Sequence, residues 1–182
     1  HLTKDKTLIS IAAGLTLSDL KHLADSENQP IIRVMPNINA QISQSTSAIV
    51  KNEFVDDSAY ATVQEIFKST GSVHEIAEKD FSTFAAIAGS SPAFIYMFID
   101  AMARAGVLHG IPKDQATAIV AETVRASAEM ILQSGENPWS LVDKVSSPGG
   151  TTVAGVVSLE QNHFIGTVID AISATIEKEK NL

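Results

Sequence analysis

Apolar residues follow two regimes along the chain. Up to about residue 77 they come in short runs parted by polar stretches, and from Glu78 onward they recur at helical spacing with few breaks. Thr7-Leu8-Ile9-Ser10-Ile11 is a short apolar run ending at Ala12-Ala13-Gly14, the pattern of a buried strand. Thr16 can cap a helix that carries Leu17, Leu20, Leu23 and Ala24 on one face. Pro30 opens Ile31-Ile32-Arg33-Val34, a second strand stopped by Pro36. Strand, helix and strand in this order form a βαβ unit, which implies a parallel sheet. One unit cannot build a sheet covered on both faces, so residues 1–36 read as the tail of a larger α/β domain whose beginning is absent.

Residues 37–77 connect this tail to the helical remainder of the chain. Ser47-Ala48-Ile49-Val50 is a further strand candidate. Asp56-Asp57 begins a helix with Ala59, Val63, Ile66, Phe67 and Thr70 on one stripe, and Gly71 is expected to end it. Val73-His74-Glu75-Ile76 reads as a short strand. Residues 78–182 read as nearly continuous helix. One segment covers 81–88. Ser91 as N-cap and Pro92 as first helical residue open another that reaches Leu108. Further helices start at Pro112 and Pro138, after the Ser147-Pro148-Gly149-Gly150 turn, and near His163. The expected class is mostly α, an all-helical domain preceded by a βαβ piece. Between Pro92 and Leu108 apolar residues cover every face of the helix, from Phe94, Ile95 and Met97 to Met102 and Val107. Such a helix must be buried all round, and the pattern predicts a second subunit to cover it.

Composition narrows the function. The chain has 182 residues, 45% hydrophobic and 19% charged, which is a globular mix. It has 13 Lys+Arg against 21 Asp+Glu, a formal charge of -8, and no basic cluster, so no nucleic-acid partner is expected. It has no cysteine, which removes disulfides, thiolate metal sites and a Cys nucleophile and fits a reducing compartment. The apolar stretch 84–108 is long enough to cross a bilayer, but Gly89-Ser90-Ser91-Pro92, Asp100 and Arg104 inside it favour a buried helix of a soluble protein. The five histidines show no ligand spacing, and no metal is expected.

The most informative stretch is Ser146-Ser147-Pro148-Gly149-Gly150-Thr151-Thr152-Val153-Ala154-Gly155. Two glycines followed by the free N–H groups of a helix start suit a carboxylate, and threonine hydroxyls can donate and accept. Local chemistry alone favours an ordinary Pro-Gly-Gly turn with a Thr cap. This block resembles the signature of pyrroline-5-carboxylate reductases. So do Ala88-Gly89-Ser90-Ser91-Pro92-Ala93-Phe94 with Gly110-Ile111-Pro112, Ser10-Ile11-Ala12-Ala13-Gly14, and Arg33-Val34-Met35-Pro36-Asn37, in the family's order and spacing.

The resemblance implies a Rossmann remnant in residues 1–36 and a helical dimerisation and substrate-binding domain in residues 78–182. It implies NADPH- or NADH-dependent reduction of 1-pyrroline-5-carboxylate to L-proline, in the cytoplasm, by a homodimer or a higher oligomer. Carried over residue by residue, it assigns cofactor contacts to Ile11, Ala12, Ala13, Met35, Asn37 and Lys144. It assigns substrate contacts to Glu78, Ser90, Pro92, Gly150, Thr151 and Thr152, with Thr152 at the ring nitrogen as the catalytic contact. Asn37-Ile38-Asn39, Ser82 and Lys144 depart from the residues common in the family. No Gly-x-Gly-x-x-Gly occurs in the sequence, so the chain by itself is expected neither to bind NADPH tightly nor to turn over. A non-catalytic or differently specific paralogue that keeps the fold as a dimerisation or binding module is the alternative.

Overall fold

The computed structural model describes residues 2–3, 5–24 and 26–181. His1, first of the five histidines, lies outside them. The chain forms two compact units, His1–Pro92 with Ile172–Leu182, and Ala93–Ala171.

The first unit is built on a four-stranded sheet in the order β1 (Leu8–Ser10), β2 (Ile31–Met35), β3 (Ser45–Lys51), β4 (Gly71–Glu75). Helix α1 (Leu17–Leu23) links β1 to β2, which pair in parallel as the βαβ pattern predicts. Thr16 caps α1 in a capping box with Asp19. β3 is antiparallel to β2, and β4 is parallel to β3, so the sheet is mixed. Alternation decides the two faces. Ile32, Val34 and Ile49 point to one face, where α2 (Asp57–Lys68) lays Tyr60 and Val63 on them. Ala48, Met35 and Val50 point to the other, under Phe81 and Phe84. Ile31, Ile32 and Ile49 are fully buried, and each contributes roughly 1.5–3 kcal/mol through that burial.

Two local expectations are corrected. Helix α2 ends at Lys68 with Ser69 as its C-cap, and Gly71 does not cap it. Gly71 starts β4 beside Ser45 at φ +146°, where a Cβ would lie 2.1 Å from the Ser45 carbonyl oxygen. Its smallness serves strand approach. Nor does Ser91 begin a helix. The chain stays helical through α3 (Phe81–Phe84), one π-helical stretch (Ala85–Ser90) and α4 (Ser91–Leu108), with Ser91 in αR conformation. Pro92 offers no N–H to the carbonyls four and five residues back, Ala88 and Ile87. The Asn37 side-chain amide donates to Ala88 O at 3.0 Å and the Ser91 hydroxyl to Ile87 O at 2.6 Å. These two bonds let a proline sit inside the helix.

The second unit contains most of α4, then α5 (Lys113–Ser134), α6 (Pro138–Val145), α7 (Thr151–Gln161) and the start of α8 (Phe164–Glu179). α4 and α5 meet through small residues. Ala103 is fully buried, and a Cβ on Gly106 would come 3.1 Å from the Ala116 Cβ. Asp100 joins Arg104 at 2.5 Å and also pairs with Lys113 at the start of α5. Hydrogen bonds from Lys113 and then Arg104 hold the Asp100 carboxyl below its ordinary range. Gly135 closes α5 in the left-handed region. The predicted all-round apolar helix is evident, since Ile95, Tyr96, Met97, Met102, Val107 and Leu108 are all exposed in the single chain.

Candidate functional site

The residues expected to bind cofactor and substrate fall on both units. On the first, Ile11, Ala12 and Ala13 follow the C-terminal end of β1 and are exposed. The Ser10 hydroxyl accepts the Ala12 N–H at 3.3 Å, and Gly14 turns the chain at φ +75°. Two alanines and a glycine leave backbone within reach of a flat ring at the carboxyl end of a parallel strand, where α/β sheets bind nucleotides. The loop therefore fits a nicotinamide by size and position.

Met35 ends β2 half-buried, with Asn37 just beyond it. Asn37 is fully engaged. Its Oδ1 accepts from the N–H groups of Asn39 and Thr46, and its Nδ2 holds Ala88 O, one residue before Gly89-Ser90. It thereby joins the expected cofactor loop to the expected substrate turn. Ser90 is exposed at the end of the π-helical stretch, and Pro92 is buried. Glu78 opens the short helical turn before α3 and is tied down. Its Oε1 accepts the Leu17 N–H at 2.6 Å and pairs with the Arg33 guanidinium at 3.3 Å.

On the second unit, Ser147-Pro148-Gly149-Gly150 forms a turn closed by Gly150 N–H to Ser147 O at 3.0 Å. Gly149 sits at φ +70°, the third-residue geometry of a type II turn with Pro before it. Gly150 is the N-cap of α7 and makes no side-chain cap, so the first N–H groups of the helix are left to a ligand or solvent. A Cβ on Gly150 would lie 2.5 Å from the Ser147 Oγ and 3.1 Å from its carbonyl oxygen. Thr151 and Thr152 are the first two helical residues and are exposed. Lys144 reaches Glu136 at 2.5 Å on the same unit.

Sequence reasoning missed Arg33, whose side chain is only 6% exposed and lies 4.3 Å over the Phe81 ring. A charge inside the run Ile31–Val34 was the available signal. It also passed over Ser146, whose hydroxyl is buried without a hydrogen-bond partner beside the turn. Nothing in the spacing marks that one. Among the described residues no group of three or more His, Asp or Glu could hold a metal ion.

Comparison with known proteins agrees along the whole chain. Residues 78–182 match the family model described as pyrroline-5-carboxylate reductase dimerisation. The pyrroline-5-carboxylate reductase of Escherichia coli is 41% identical over 181 residues, which cover 100% of this chain and 67% of that protein. The Pisum sativum enzyme is 39% identical over 181 residues, covering 100% of this chain and 66% of the relative. The chain thus spans about two thirds of the length of the curated relatives it matches. The crystal structure of the Streptococcus pyogenes 1-pyrroline-5-carboxylate reductase superposes with a TM-score of 0.92 at 46% identity, over 98% of this chain and 68% of that one. The Plasmodium falciparum pyrroline carboxylate reductase with NADP bound gives 0.90 at 36% identity, over 97% of this chain and 71% of that one. By family model, sequence and fold alike, this chain belongs to the pyrroline-5-carboxylate reductase family.

Proposed function

We propose that the protein reduces 1-pyrroline-5-carboxylate to L-proline with NADPH or NADH, as a cytoplasmic homodimer. The observation that carries this reading is the Pro148-Gly149-Gly150-Thr151-Thr152 turn opening an uncapped helix, in a chain 41% identical to a relative of that name. A relative holding NADP supports the cofactor class. Residues 1–36 are then the end of a Rossmann domain, residues 37–77 the connection and residues 78–182 the dimerisation and substrate domain.

The nicotinamide supplies a hydride when bound, and the chain supplies orientation. The N–H groups after Gly150 hold the substrate carboxylate, aided by the positive end of α7. The Thr152 hydroxyl holds the ring nitrogen and so fixes the direction of the imine carbon. Threonine is a poor general acid, so the ring enters already protonated at nitrogen and the hydroxyl fixes its direction. Positioning of this kind can supply much of the rate. Ser90 and Pro92 serve as further substrate contacts, and Met35 and Lys144 as cofactor contacts.

The test is proline formation by the protein expressed from its complete coding sequence. We expect turnover, with Thr152→Val lowering kcat/KM for pyrroline-5-carboxylate about tenfold to a hundredfold, the value of one lost hydrogen bond. The KM for NADPH should stay unchanged. A wild-type protein that binds both ligands and forms no proline would favour the binding-module alternative. A Thr152→Val variant within twofold of wild type would remove the role given to that hydroxyl.

A further inference from the structure

We propose that Glu78 is a positioning residue that fixes the cofactor loop, residues 11–16, through Leu17 and Arg33. The proposal rests on the reductase reading of the site and gives the Glu78 carboxylate a task apart from touching substrate.

One oxygen atom of Glu78 serves two distant partners. Glu78 Oε1 receives the Leu17 N–H at 2.6 Å and the Arg33 Nη1 at 3.3 Å, from partners 61 and 45 residues away in sequence. Leu17 is the first residue of α1, and its N–H is one of the four that a helix start cannot pair internally. Thr16 and Asp19 complete the capping box but leave the Leu17 N–H to Glu78. Arg33 lies on β2 directly opposite Ser10, the last residue of β1. The loop thus leaves the sheet at Ser10 and enters the helix at Leu17, and Glu78 holds Leu17 at one end and the strand partner of Ser10 at the other. Ser10 itself receives the Ala12 N–H.

Burial makes the arrangement stiff. The Arg33 side chain is almost wholly enclosed, stacked on Phe81, and its Nε finds no partner. Glu78 is the carboxylate in ion-pair contact with it, while Asp19 feels its charge from further away. A buried guanidinium strongly holds the carboxylate that pairs with it. Glu78 starts the helical run that passes through Ser90 and Pro92, so the same residue ties the expected substrate turn to the expected cofactor loop.

Three variants of the protein expressed from its complete coding sequence test this. Glu78→Ala removes both contacts. Leu17→Pro deletes the N–H, at a helix position where proline is accepted, after a Thr16 already extended at φ −84°, ψ 166°, and Leu17→Ala is its control for the lost half-buried side chain. Glu78→Gln keeps an acceptor without the charge. We expect Glu78→Ala and Leu17→Pro to raise the NADPH dissociation constant about tenfold, as one charge-assisted bond would. Amides of residues 11–16 should exchange faster with deuterium in the cofactor-free protein. KM for pyrroline-5-carboxylate should stay within about twofold in Leu17→Pro, and Glu78→Gln should recover most of the NADPH affinity. An unchanged NADPH affinity in Leu17→Pro would overturn the proposal. So would a Glu78→Ala variant whose loss falls on KM for pyrroline-5-carboxylate alone. A wild type that binds NADPH but makes no proline would instead sink the proposed reduction, while the exchange and affinity measurements still judge Glu78.

Discussion

At the scale of single residues, polar groups inside the first unit matter most. Tyr60 lies under α2 on the sheet with its hydroxyl buried and unpaired. Burial, reinforced by the nearby Glu75 charge, pushes its phenol up to about 12. A raised value means the native fold favours the neutral phenol. Its contribution to stability is intact below about pH 10, the unfolded value, and is lost as the pH climbs toward 12. We expect absorbance at 295 nm in a Tyr96→Phe background to show Tyr60 ionising near 12, and Tyr60→Phe to flatten alkaline unfolding between these values. Ionisation near 10 would contradict the burial. The candidate site is legible at this scale where a residue type is rare and clustered, as in Pro148-Gly149-Gly150-Thr151-Thr152. Partnerships are not. The bond from Leu17 to Glu78 spans 61 residues, and no local pattern encodes a contact that only the fold brings about.

At the scale of elements, hydrophobic spacing predicts most strands and helices, the Thr16 cap and the helix start at Asp56-Asp57 among them. Two features escape it for physical reasons. The alternation of β3 reads the same whichever way the strand runs, so its antiparallel pairing with β2 is invisible. Gly89-Ser90-Ser91-Pro92 carries every local sign of a helix boundary, yet the helix continues because Asn37 reaches from outside it to Ala88 O. That makes a prediction. Asn37→Ala should cost about 1–3 kcal/mol in urea unfolding, because it strands a partly buried carbonyl and frees two N–H groups. In a Pro92→Ala background, where residue 92 regains an N–H, the loss should be smaller. Equal losses in both backgrounds would mean the Asn37–Ala88 bond does not serve the proline.

At the scale of the molecule, the apolar surface of the second unit sets the behaviour. Along α4 and the start of α8, Phe94, Ile95, Met97, Phe98, Phe164 and Val168 line one apolar groove, and the Phe98 and Phe164 rings stand 6.1 Å apart. A family model for dimerisation covers these residues, and a second copy of the chain is the occupant we expect. Analytical ultracentrifugation should find a dimer at micromolar concentration, and Phe98→Asp should shift it to monomer or abolish folding. A stable, folded wild-type monomer would refute this. The pattern of α4 was legible in the sequence because no single-sided helix is apolar on every face, whereas the groove's lining by α8 was not. The exposed apolar surface of α4 has one more consequence. A fold completed only by its own duplicate has no fixed melting temperature, because its stability rises with the amount of protein present. Diluting the protein at constant temperature then acts as a denaturant.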